Sequence, residues 1–137
     1  MNISSVHIKG LCEVVHRKIG ITPIFTGVMG VGIFWGDNDP RNKSLTYTTC
    51  GTKQNRCTTS IAILLGIDYL LDNIKESTHI YCDNQSIIDI IHKYNCIAHT
   101  ELAERIVKKW DQINSLVDGY KVTIDKIHIH NIWESPG

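Results

Sequence analysis

The hydrophobic period of this chain first changes close to Asn55, and that change limits the fold more than any other feature. Before it, β-branched and apolar residues alternate or run in short blocks. Ser5 to Cys12 reads as a strand, Val28 to Trp35 as a second, and Ser44 to Cys50 as a third pairing back on the second. His16 to Thr22 reads as polar and turn-like, and Gly36-Asp37-Asn38-Asp39-Pro40 as a tight turn. After it, Ile61, Leu64, Leu65, Tyr69 and Leu71 recur at helical spacing and predict a helix from about Asn55 to Asn73. His79 to Asp83 is a short apolar strand ending in a carboxylate. Gln85 to Lys93 and Glu101 to Val117 predict two further helices, and Lys121 to His130 a final strand. Three hairpin-type strands followed by alternating helices and strands imply an α/β chain, a mixed sheet with helices packed on it.

The 137 residues suit one domain over 1–137, and an apolar share of 42% is enough for a sizeable core. No apolar run approaches the ~20 residues of a membrane helix. The start, Met1-Asn2-Ile3-Ser4-Ser5, lacks the basic and apolar stretches of a secretory leader, so an intracellular protein, or one carried inside another particle, is expected, with no membrane partner. Cys12, Cys50, Cys57, Cys82 and Cys96 are scattered without a C-x-x-C pair, which reads as free thiols in a reducing compartment rather than a disulfide framework or a structural zinc site. Formal net charge is zero, which argues against a strong sequence-blind binder of nucleic acid.

Four blocks carry a resemblance. They are Gly30-Val31-Gly32-Ile33-Phe34-Trp35-Gly36 running on to Pro40 and Asn42, then Lys53-Gln54-Asn55-Arg56-Cys57-Thr58, then Ile80-Tyr81-Cys82-Asp83-Asn84-Gln85, and last Ile127-His128-Ile129-His130. In this order and over nearly the whole chain they resemble the eukaryote-style type 1 ribonuclease H family. The resemblance implies a ribonuclease H-like mixed five-stranded sheet flanked by helices. It also implies descent from enzymes that cut the RNA strand of RNA–DNA hybrids with two divalent ions held by four carboxylates. Magnesium, the family's ion, requires several oxygen ligands.

Aligned on those blocks, the chain departs from the family at the carboxylates. Lys9 stands at the first, in strand one, and Thr58 at the second, at the start of the first helix. The third is retained as Asp83. The fourth, with the family's last helix, falls beyond Gly137, and Glu134 follows His130 too soon to replace it. No bound metal or other cofactor is expected. Asp83 is either a relic ligand or a cap for the helix that begins near Gln85. Lys9 is a candidate to pair with Asp83 in place of the metal. His130 matches the family's histidine, although without metals a plain surface histidine is the simpler reading. His128 and His130 face one way on a strand, a geometry that can bind zinc but lacks a third ligand. Lys53, Gln54, Asn55, Arg56 and Asn84 match positions at which the family touches nucleic acid.

The expectation is therefore a catalytically inactive ribonuclease H-like domain, a structural or protein-interaction module with a protein partner or a second copy of itself. Degenerate domains of this family serve as connectors in retroelement polymerases. The alternatives are a binder of RNA–DNA hybrid or duplex RNA that does not cut, and a metal-dependent nuclease with a rebuilt site.

Overall fold

The computed structural model describes residues 3–51, 58–93, 100–115 and 127–133. Five strands and three helices follow in the order β1 (Ser4–Ile19), β2 (Thr22–Phe34), β3 (Lys43–Gly51), α1 (Thr59–Leu71), β4 (Thr78–Cys82), α2 (Gln85–Lys93), α3 (Thr100–Ser115) and β5 (Ile127–Asn131). One sheet of order β3-β2-β1-β4-β5 holds all five strands. The β1–β2 and β2–β3 pairs are antiparallel, and the β1–β4 and β4–β5 pairs are parallel. This is the mixed five-stranded α/β arrangement that the ribonuclease H resemblance implies.

The period-two pattern assigns the faces. Val6, Ile8 and Gly10 on β1, Met29, Val31 and Ile33 on β2, Ile80 and Cys82 on β4, and Ile127 and Ile129 on β5 all point into the core. Against this face lies α1, buried nearly all round through Ala62, Ile63, Leu64, Ile67, Leu70 and Leu71, as a helix enclosed by other elements must be. α3 packs on α1 with Ala103, Ile106, Val107 and Trp110 turned inward, and α2 closes the β5 end with Ile87, Ile88 and Ile91. Two glycines permit the close approach of helix and sheet. A Cβ on Gly10 would stand 2.9 Å from the backbone oxygen of Thr59 and from Ile63, and one on Gly66 would stand 2.5 Å from Val31.

The opposite face presents His7, Lys9 and Leu11 of β1, Gly30, Gly32 and Phe34 of β2, His79 and Tyr81 of β4, and His128 and His130 of β5. Among the described residues no helix covers it. No described helix is long and apolar enough to cross a membrane. Cys12, Cys50 and Cys82 are in no disulfide, and burial pushes the Cys82 thiol above its usual range. Cys57 and Cys96 lie outside the described residues.

Two expectations shift. The stretch from His16 is not a turn but strand: β1 runs to Ile19 and pairs with β2 down to Ile19↔Thr22. Only Gly20 and Ile21 turn, with Gly20 at φ +65°, the residue a two-residue hairpin needs first. His16 stacks on Phe25 across the hairpin, so a polar-looking segment is held by cross-strand pairs. The first helix starts at Thr59 rather than near Asn55, because Thr58 is extended and its hydroxyl accepts from the Ile61 amide. The third helix is described to Ser115; Val117, and residues 121–126 of the predicted last strand, lie outside the described residues.

An ion-pair bridge joins α1 to α3. Asp68 accepts from Arg105 at 3.0 Å and from Lys109 at 2.8 Å, and Lys109 also reaches Asp72. Burial by itself would raise the Asp68 carboxyl, but hydrogen bonds from Arg105 and Lys109 outweigh it and hold the group below the usual carboxylate range. A depressed folded pKa contributes stability above the unfolded value and loses it as pH falls through the folded one. Asp68→Asn is expected to cost about 1–2 kcal/mol at neutral pH, discounted for the half-exposed Arg105. In thermal melts the gap from the parent should narrow below about pH 4.

Candidate functional site

A groove of about 760 Å³ opens on the uncovered face, where the end of β4 meets the first half of β1 and the end of β2. Gly32 gives it a bare backbone floor, since a Cβ there would meet nothing closer than the Lys9 oxygen at 3.9 Å. Phe34, Tyr81 and Trp133 supply its aromatic walls. Trp133 is 79% exposed, its amide held by the Asn131 side chain at 3.0 Å. Among the described residues, the charged groups lining the groove are Lys9, Lys43 and Asp83.

The loop after β2 shapes the near rim. Asn42 accepts from the Trp35 amide at 2.6 Å and donates to the Gly36 carbonyl at 2.7 Å, closing the turn that contains Asn38 at φ 59°. Arg41 lies over the Trp35 ring at 4.0 Å and is bound to Asp39 and Glu76. Hydrogen bonds from Arg41 hold the Asp39 carboxyl at about 2. The Gly-Trp-Gly block with its following Pro and Asn is thus tied up in building a rigid loop.

Lys9 and Asp83 line the same groove, as the alignment places them. They form no ion pair there, which removes the expected replacement for the metal; the ion pairs among the described residues lie elsewhere. Thr58 is half-buried with its hydroxyl engaged as the α1 cap. Asp83 is exposed and does not cap α2. Asn84, one residue later, takes that role: its Oδ1 accepts from the Ile87 amide at 3.2 Å, and its Nδ2 donates to Ser60 at 3.1 Å. Asn84, matched in sequence to a nucleic-acid contact, therefore ties the starts of α1 and α2 together. Lys53, Gln54, Asn55 and Arg56, the other nucleic-acid positions, lie outside the described residues, as does Glu134.

Two magnesium ions do not fit the described residues of the groove. Lys9 and Lys43 stand with a single carboxylate, and a lysine about 4 Å from a dication would be repelled by several kcal/mol at an effective dielectric of about 20. Among the described residues no group of three or more His, Cys, Asp or Glu side chains is placed to hold a metal ion.

Beside the groove runs a row of rings that the sequence reading found only in part. His7 stacks on Tyr81 at 5.1 Å and Tyr81 on His130 at 5.0 Å. His130 lies within β5 rather than on a surface loop, and its Nε2 is 2.9 Å from Nδ1 of His79. The clue available in sequence was parity: His79 and Tyr81 alternate with Ile80 just as His128 and His130 alternate with Ile129.

No family model matches the chain, and no curated protein matches it in sequence. Among solved structures it is similar to the ribonuclease H1 of the halophilic archaeon Halobacterium salinarum NRC-1. The identity is 12%, over 96% of this chain and 86% of that one, with a TM-score of 0.49.

Proposed function

We propose that this chain is a non-catalytic ribonuclease H-like module, which docks a partner through its open sheet face rather than cutting nucleic acid. The groove's charge carries the reading: Lys9 and Lys43 face one carboxylate, Asp83, where two-metal chemistry requires several. Docking is supported by the apolar side chains on the same face. Leu11 is 65% exposed, and Val28, Phe34 and Trp133 are exposed with it, a surface of the kind that marks interfaces. The partner in this reading is another protein or a second copy of the chain.

A second reading, binding of RNA–DNA hybrid or RNA without cleavage, is favoured by one observation. The groove combines two lysines with Phe34, Tyr81 and Trp133, and such sets grip phosphates and stack bases.

The test is a titration of labelled RNA–DNA hybrid with the purified chain and magnesium at two salt concentrations, read for mobility shift and for cleavage. No cleavage is expected. Cleavage abolished by Asp83→Asn would overturn the proposal and mean a rebuilt nuclease. A salt-sensitive shift without cleavage would select the second reading, and absence of both the docking of a protein.

A further inference from the structure

An edge strand presents a row of backbone N–H and C=O groups with no ladder to join, and sheets blunt such edges with charges, prolines, bulges or very short strands. β3 is an edge of this sheet, and beyond the lysine at its start it has none of these guards. It runs for nine residues, Lys43–Gly51. All of them pair with β2 in unbroken register, from Ile33↔Lys43 to Phe25↔Gly51, so no bulge turns the strand away. After Lys43 it reads Ser44-Leu45-Thr46-Tyr47-Thr48-Thr49-Cys50-Gly51, without a charge or a proline. Among the described residues no strand pairs with its outer side.

We propose that the β3 edge joins a second copy of the chain, strand to antiparallel strand, so that the two sheets run on as one. This surface is separate from the open sheet face, and the inference does not depend on what that face docks.

Symmetry sets the register. When a strand pairs with its own copy about a two-fold axis, opposed residues must lie on the same face of the joined sheet. An axis beside Tyr47, the middle residue, engages the whole strand. Thr46 then stands opposite Thr48 of the other copy, Leu45 opposite its Thr49, and Ser44 opposite its Cys50.

The side chains suit that register on both faces. On the core side Leu45, Tyr47 and Thr49 stay half-buried, the first two packed against the core yet incompletely covered. A second copy covers them and sets Tyr47 beside Tyr47, a favourable aromatic cross-strand pair. On the outer side Thr46 and Thr48 are exposed, and threonines opposed across an antiparallel ladder hydrogen-bond to each other. The strand that fits this edge has to alternate an inward half-apolar residue with an outward uncharged one, and β3 itself supplies that pattern. With zero formal net charge, two copies meet without overall repulsion.

The test is the mass of the full chain in solution, by light scattering over a concentration series into the hundred-micromolar range. A rise from 15.5 kDa towards twice that value is expected. Thr46→Lys combined with Thr48→Lys opposes like charges on both sides of the axis and should weaken the dimer by on the order of tenfold or more. Thr46→Lys combined with Thr48→Glu opposes unlike charges at the same places and should restore it. Both positions are exposed in the single copy, and circular dichroism confirms that each variant folds. Leu11→Ser, on the open face, separates the two surfaces. A monomer at every concentration, a dimer indifferent to the paired lysines, equal loss in both double variants, or a dimer lost only in Leu11→Ser would each overturn the proposal.

Discussion

Gly10→Ala is expected to destabilise the chain by about 2–3 kcal/mol, although it adds a single methyl group. The reason is what stands opposite. At 2.9 Å lie both the Thr59 carbonyl oxygen and a carbon of Ile63, with Ala62 at 3.2 Å. A side chain can rotate away, but the Thr59 oxygen belongs to the first turn of α1 and moves only with the helix. Displacing α1 opens gaps over Val6, Ile8 and Val31, and interiors packed like crystals do not absorb such shifts cheaply. Gly66→Ala offers the comparison. There the obstacle is the stiff Val31 side chain at 2.5 Å, and up to about 1 kcal/mol of improved helix propensity offsets part of the clash. Urea unfolding of both variants should rank Gly10→Ala as the more damaging. Equal or negligible losses would show that α1 sits farther from the sheet.

Trp110→Ala carries the largest expected loss, about 3–5 kcal/mol. Trp110 is 8% exposed, on the inward face of α3 and part of the central core. Around it, Asp68 with Arg105 and Lys109 joins α3 to α1 at the rim, but those pairs are partly solvated and cannot replace the lost apolar area. Since domains of this size are stable by only about 5–15 kcal/mol, the variant should sit near its unfolding threshold. The far-ultraviolet signal is the right probe, because Trp35 and Trp133 would dominate the remaining fluorescence. A midpoint shifted at unchanged denaturant slope is the expected form.

Strands and helices were legible where burial repeats with a clean period. Ile127-His128-Ile129-His130 alternates core and solvent, and it forms the β5 strand. The helix over residues 85–93 was legible to the residue, because its isoleucines repeat with a helical period. The hairpin end was not. His16, Arg17 and Lys18 are polar and exposed, and they are strand only because β2 pairs with them across a glycine turn, a tertiary cause that local composition does not carry. Asp83 and Asn84 are both good caps, and residue type alone does not decide which one serves. Lys9 could be placed through the resemblance, and the packing of Gly10 against α1 leaves it on the opposite face, in the groove. Its distance from Asp83 could not be read, because ion pairing depends on rotamers. Likewise His79 joins His128 and His130 only through the parallel register of strands far apart in the chain.

The strand order also has a consequence in time. On one side of β1, every pairing joins strands that are neighbours in the chain, through the short connections Gly20–Ile21 and Trp35–Asn42. On the other side, β1 must find β4 across the whole of α1, and β4 must find β5 across α2 and α3. Closing long loops costs more entropy and takes longer than zipping a hairpin, which needs only microseconds. Assembly of the sheet is therefore asymmetric: the three-stranded meander can form from the first third of the polypeptide, while its parallel half waits for the helices to bring the remaining strands home.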